Sequence, residues 1–193
     1  HALIRNLPAV ETLGCTSVIC SDKTGTLTRD EMTVRRIWVN DELIDVGGIG
    51  YVPEGDFSHG GQKLDPADPH LQVLLRIGAL CNDTRLVAEK GAWIIQGDST
   101  EGALVVAAAK ARIEPEKLNR EYPRVGEIPF SSERKRMTTI HAGPSGKVAY
   151  SKGATEVILE SCSRIYRNGE ERPLEAADRE RILNVTREMA EQA

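Results

Sequence analysis

Val18-Ile19-Cys20-Ser21-Asp22-Lys23-Thr24-Gly25-Thr26-Leu27-Thr28 is the stretch on which the reading of this chain turns. Val18 to Cys20 form a short apolar run that suits a buried parallel strand, although the same run fits a buried helix segment. It stops at a carboxylate. That places Asp22 at the carboxyl end of a strand, where open α/β sheets bind their ligands. Gly25 permits a tight turn and close backbone approach, and Thr24, Thr26 and Thr28 bring hydroxyls to the same loop. An aspartate so placed can attack a phosphoryl group and carry it as an aspartyl-phosphate. A bare Asp-Lys-Thr reads more simply as a polar turn with an Asx motif, so the surroundings decide.

Composition narrows the classes. The chain has 193 residues, 40% hydrophobic and 28% charged, with a net charge of −4. That is enough for one or two domains with a real core, and it gives no basic field for nucleic acid. No apolar run approaches the ~20 residues that span a bilayer, and no stretch of this sequence reads as a signal peptide. The longest apolar stretch, Ala103 to Ala109, reads as a buried helix. Cys15, Cys20, Cys81 and Cys162 lack metal-like spacing and read as reduced, mostly buried cytosolic thiols.

Along the chain, Thr33 to Val39 and Glu42 to Val46 read as paired strands across Asn40-Asp41. Residues 47–69, rich in Gly, Pro and Asp, read as a loop holding Phe57 and His59. Residues 69–82 carry the apolar spacing of a mostly buried helix. Arg85 to Ala88 and Ala92 to Gln96 form a hairpin about Lys90-Gly91. Residues 101–112 form a second buried helix, with Asp98 and Glu101 as a capping box. Glu116 to Glu121 reads as a short helix. Three strands follow, over 124–130, 135–141 and 147–151, then a helix start at Thr155. A hairpin turns at Asn168-Gly169, and residues 175–192 form an amphipathic helix with Ile182, Val185 and Met189 on one face.

Asp22-Lys23-Thr24-Gly25-Thr26-Leu27-Thr28 matches the phosphorylation signature of P-type cation-transporting ATPases, and the lead-in from Leu7 to Ser21 resembles the calcium-pump branch. Four later stretches resemble the nucleotide-binding domain of that branch, in its order and approximate spacing. They are Cys81-Asn82-Asp83, Gly97-Asp98-Ser99-Thr100-Glu101-Gly102-Ala103-Leu104, Pro129-Phe130-Ser131-Ser132-Glu133-Arg134-Lys135-Arg136-Met137 and Ser151-Lys152-Gly153-Ala154. The resemblance implies an ATP or ADP site. Phe130 would stack on the adenine and Glu101 would accept its exocyclic amine. Lys135 and Lys152 would hold positive charge near the nucleotide, and Gly153 would let it approach the backbone. In the calcium-pump pattern an arginine often stands where this chain has Ser132. It also implies that Asp22 is the phosphorylated nucleophile beside Lys23, and that Mg²⁺ is bound by the Asp22 carboxylate and the Thr24 carbonyl.

The expected fold is α+β. A mainly antiparallel sheet of about six strands flanked by helices would occupy the nucleotide-binding domain, residues 32–193. Residues 1–31 would hold a linker and one strand of a Rossmann-like phosphorylation domain. With no membrane helix, the chain reads as a cytoplasmic piece of a longer membrane protein, whose remaining phosphorylation, actuator and membrane domains are its partners. Such a piece is expected to bind nucleotide at about 0.1 to several mM without turnover. The alternative is a soluble phosphatase or phosphotransferase of the haloacid dehalogenase type using Asp22. It is disfavoured because Thr24 stands where such enzymes usually carry a second acid.

Overall fold

The computed structural model describes residues 15–18 and 31–192. The chain divides into two units at Glu31/Met32, and every element below belongs to the second. Asp22, Lys23 and Thr24 lie outside the described residues, as do Ile19 and Cys20 of the strand expected before them; Val18 is exposed and in no strand.

A four-stranded antiparallel sheet comes first, in the order β1 (Arg36–Val39), β2 (Glu42–Val46), β3 (Phe57–His59), β4 (Gln62–Leu64). Asn40 and Asp41 both take positive φ, 52° and 63°, the geometry of a tight hairpin turn matched to strand twist. The loop expected over 47–69 thus contains two strands. Each is only three residues long, too short for alternation to show. They meet at Gly60-Gly61, whose φ values of 57° and 80° favour glycine. Phe57 is a core residue, 1% exposed; burying such a side chain contributes about 1.5–3 kcal/mol.

Two helices cover this sheet. In α1 (Pro69–Leu80), Asp68 accepts the N–H groups of His70 and Leu71, both at 3.0 Å, and proline opens the helix where its missing donor costs nothing. In α2 (Ser99–Lys110), Asp98 accepts the Glu101 N–H at 3.0 Å. Leu71, Leu75, Ala107, Ala108 and Ala111 pack on Ile37, Ile44, Val46 and Phe57. At the end of α2, buried Lys110 donates to the Gly47 carbonyl at 2.7 Å. Burial, and then Arg35, pull its pKa down.

A hairpin, β5 (Arg85–Glu89) with β6 (Ala92–Gln96), separates the two helices. After α3 (Pro115–Glu121) comes a three-stranded sheet of β7 (Arg124–Ser131), β8 (Arg136–Gly143) and β9 (Gly146–Gly153), in that order. Met137, Thr139 and His141 of β8 are buried. His141 is bonded on both ring nitrogens, to the Tyr122 carbonyl and the Thr139 hydroxyl. The chain continues through α4 (Thr155–Ser161), the hairpin β10 (Arg164–Arg167) and β11 (Glu170–Pro173), and α5 (Ala176–Glu191).

The α+β, antiparallel class is as expected. The eleven described strands nevertheless form four separate sheets, where one sheet of about six was anticipated. Turns of two residues, or four between β7 and β8, close the hairpins locally, and helices rather than further strands intervene between the sheets. A full capping box occurs at Glu175/Asp178 of α5. There Arg172 grips the Asp178 carboxylate through two 2.7 Å hydrogen bonds. Arg172, helped by the Glu175 N–H, holds that carboxyl well below the usual carboxylate range. Asp41, in the β1–β2 turn, pairs with Arg167 and Arg181 and so ties the C-terminal elements to the first sheet. Of the three described cysteines, Cys81 alone is buried and Cys15 is exposed.

Candidate nucleotide-binding site

Glu101 lies in the first turn of α2, and Lys152 lies one residue from the end of β9. Lys152 Nζ donates to Glu101 Oε1 at 2.7 Å, with the two side chains 23% and 17% exposed. Glu101 Oε2 accepts the Asp83 N–H at 2.9 Å and shares the Thr84 hydroxyl with the Asp98 carbonyl, each at 3.2 Å. Asn82 braces the same corner. Its Nδ2 donates to the Glu101 and Gly78 carbonyls at 2.9 and 3.1 Å, and its Oδ1 accepts the Thr84 N–H at 2.8 Å. Asp98 caps α2, but the reciprocal half of the expected capping box is replaced. The Glu101 carboxylate is engaged by Lys152, Asp83 and Thr84, because an ammonium and two aimed donors hold it more strongly than one backbone N–H. A carboxylate offers about four acceptor positions. Three are used, so one stays open.

The register of the second sheet places the remaining residues. Met137 of β8 faces Lys152 of β9. On the other side, the β7–β8 pairing shifts between Ile128 and Ser131, so Pro129 and Phe130 share the place opposite Met137, as in a β-bulge. Phe130 and Lys152 therefore sit in one row, two strand spacings or about 10 Å apart. Phe130 is 62% exposed; it is not a core aromatic. Lys135 closes the β7–β8 turn at φ 49°, its N–H donating to the Ser131 carbonyl at 2.8 Å, and its side chain is exposed. Arg134 folds back on the Pro129 carbonyl at 3.3 Å, and Ser132 is exposed.

Gly153 has a role the sequence did not suggest. A Cβ there would stand 2.4 Å from the Lys135 carbonyl oxygen and 2.6 Å from Arg136 Cβ. The absent side chain makes room for the neighbouring strand, so the close approach seen at Gly153 is that of backbone.

The structure thus brings Glu101 and Lys152 into contact and sets Phe130, Lys135 and Gly153 at the same end of the sheet. Asp83, Thr84 and Arg124 were not anticipated as site residues. Asp83 lay within a quoted stretch, but its use of a backbone N–H leaves no mark in a sequence. A cavity of about 1230 Å³, lined among others by Trp93, Val105, Ile113, Arg112, Arg120 and Arg124, contains neither Glu101, Phe130 nor Lys152. The Phe130 end is an open shelf, which suits a flat ring laid on a surface.

The sequence model of the family described as P-type ATPase, cytoplasmic domain N, matches residues 70–193. With that match covering most of the second unit, the chain belongs to the P-type ATPases, as part of their cytoplasmic domain N. It is 45% identical over 189 residues to a probable cation-transporting ATPase F of Mycobacterium bovis (96% of this chain, 21% of the relative). It is 42% identical over 170 residues to a calcium-transporting ATPase of Bacillus subtilis (87% and 19%). It is 37% identical over 199 residues to a sodium/potassium-transporting ATPase subunit alpha-2 of Gallus gallus (98% and 19%). The chain spans about a fifth of the length of these relatives. Among the described residues, no helix is long and apolar enough to cross a membrane.

Proposed function

We propose that this chain binds an adenine nucleotide across the shelf between Phe130 and the Glu101–Lys152 pair, and that within a longer P-type pump it presents the γ-phosphate to Asp22. The observation that carries the reading is the state of Glu101. Its carboxylate is held rigid on three sides and keeps one acceptor position open, on the sheet end that bears an exposed aromatic. An adenine stacked on Phe130 would place its exocyclic amine toward that position, as a donor meeting an acceptor. Lys152, already desolvated against Glu101, supplies positive charge to the ring edge or the α-phosphate. Lys135, exposed on the turn, reaches the phosphates from the other side. Gly153 contributes by keeping the two strands close.

Phosphoryl transfer belongs to the Asp22 loop and not to the nucleotide shelf. Asp22 takes the phosphoryl group as an aspartyl-phosphate, with Lys23 beside it. Asp22 and Thr24 would hold Mg²⁺, which would supply charge neutralisation to the phosphoryl group. The transported species is a cation, calcium first, on the strength of the Leu7–Ser21 lead-in, and the nucleotide site faces the cytoplasm. By itself the chain is expected to bind nucleotide at about 0.1 to several mM without turnover.

The test is base selectivity. Inosine triphosphate presents a carbonyl where adenine presents an amine, and so faces the carboxylate with acceptor against acceptor. ATP is expected to bind about tenfold or more tighter, since an unsatisfied polar contact costs about 1–3 kcal/mol. Equal binding of the two, or binding to Phe130→Ala unchanged from the parent chain, would overturn the site.

A further inference from the structure

We infer that Arg124 is the positioning residue of this site. It fixes the Asn82–Thr84 corner that aims Glu101, and it does so from the strand that carries Phe130. The inference rests on the nucleotide reading above and adds a residue to it. Arg124 opens β7. One guanidinium nitrogen donates to Asp83 Oδ1 at 2.6 Å and Glu127 Oε2 at 2.8 Å. The other donates to the Leu80 carbonyl at 3.2 Å and to the Asn82 carbonyl. Four acceptors on the end of α1, the following corner and β7 itself are thereby gathered by one planar group. A lysine cannot do this, having a point charge and no fork.

The consequence follows bond by bond. The Asp83 side chain and the Asn82 carbonyl are held by Arg124. The intervening Asp83 N–H and the adjacent Thr84 hydroxyl are the two donors on Glu101 Oε2. Glu101 Oε1 in turn holds Lys152. Arg124 touches none of the residues that would meet a nucleotide, apart from Phe130 being borne on the same strand six residues on. Without the fork, the corner regains freedom, Oε2 loses fixed partners and the open acceptor position of Glu101 is no longer defined. The affected quantity is discrimination between bases, more than general affinity.

The experiment measures ATP and inosine triphosphate affinities for the full chain and for Arg124→Gln, Arg124→Lys, Glu101→Gln and Glu101→Gln/Arg124→Gln, with circular dichroism confirming the fold of each. The positioning role predicts that Arg124→Gln weakens ATP about tenfold, leaves inosine triphosphate within about twofold, and adds nothing to Glu101→Gln in the double variant. Arg124→Lys, which keeps charge and is the milder change, should lose the preference as well. Losses that multiply in the double variant, or a parent-like ATP preference in either Arg124 variant, overturn the inference. A parent chain without any base preference fails the nucleotide reading instead. In that case the Asp83 and Thr84 amide resonances and the Glu101 carboxyl resonance still decide. They must shift in Arg124→Gln without nucleotide, and their constancy overturns the role.

Discussion

Gly153→Ala separates two roles that one glycine could play. The new Cβ would lie 2.4 Å from the Lys135 carbonyl oxygen, 2.6 Å from Arg136 Cβ and 2.7 Å from Arg136 Cα, against a floor of 3.0 Å for real contacts. The shortfall at the oxygen is 3.0 − 2.4, or 0.6 Å. None of these atoms is the loose end of a side chain, so the two strands must part. Parting them loosens the Ala154 N–H to Lys135 carbonyl bond, now 3.0 Å. That bond contributes about 1 kcal/mol, and overpacking costs about 1–3 kcal/mol more. A total near 3 kcal/mol lowers Tm by about 6–12 °C for a domain of this size. Thermal unfolding followed by circular dichroism, without nucleotide, is the assay. A fall of less than about 2 °C would refute the steric argument. If ATP binding then collapsed in that well-folded variant, Gly153 would be reserved for the nucleotide and not for the strand.

Other perturbations probe the same fold and site. Lys152→Met leaves Glu101 Oε1 without its partner at a position less than a quarter exposed. Because the pair is neither surface nor fully buried, a loss of about 2 kcal/mol is expected, between the two regimes. Urea unfolding should show it, along with partial recovery in Glu101→Gln/Lys152→Met; additive losses would deny that the pair is coupled. For Asp178 the folded pKa lies below the unfolded one. Its contribution is therefore complete above about pH 4 and is lost as pH falls through that range toward the folded value. Asp178→Asn should have a lower Tm than the parent at pH 7 and a flatter decline between about pH 5 and 2. A parallel decline in both proteins would show that Arg172 does not hold the carboxylate as described.

What the sequence made legible follows from the range of each signal. Asn40-Asp41, Lys90-Gly91 and Asn168-Gly169 announce hairpins because the turn itself demands residues that tolerate positive φ. The apolar spacing over 69–80 and the run Ala103–Ala109 announce buried helices. The strands at 57–59 and 62–64 were hidden, since three residues carry no periodicity and their glycine-rich link looks like any loop. The division into four sheets was hidden too, because pairing beyond a hairpin depends on which elements meet in space. At the site, the resemblance of the stretches around Glu101, Phe130 and Lys152 to a nucleotide-binding domain pointed to those three; residue type alone did not. The donors that aim Glu101 are a backbone N–H and a common threonine, and Arg124 lies more than twenty residues from Glu101; residue type alone marks none of them. The resemblance gave Gly153 the approach of a nucleotide, whereas the atoms it makes room for in the structure are those of the adjacent strand.

The central claim is that the shelf of Phe130, Glu101 and Lys152 receives adenine. The direct measurement is a two-dimensional NMR titration of the chain with ATP in the absence of Mg²⁺. Saturable shifts should cluster at residues 82–84, 101, 129–137 and 151–153, and they should vanish in Phe130→Ala. Saturable shifts confined to the groove around Trp93 and Arg112, or undiminished in Phe130→Ala, would contradict the account.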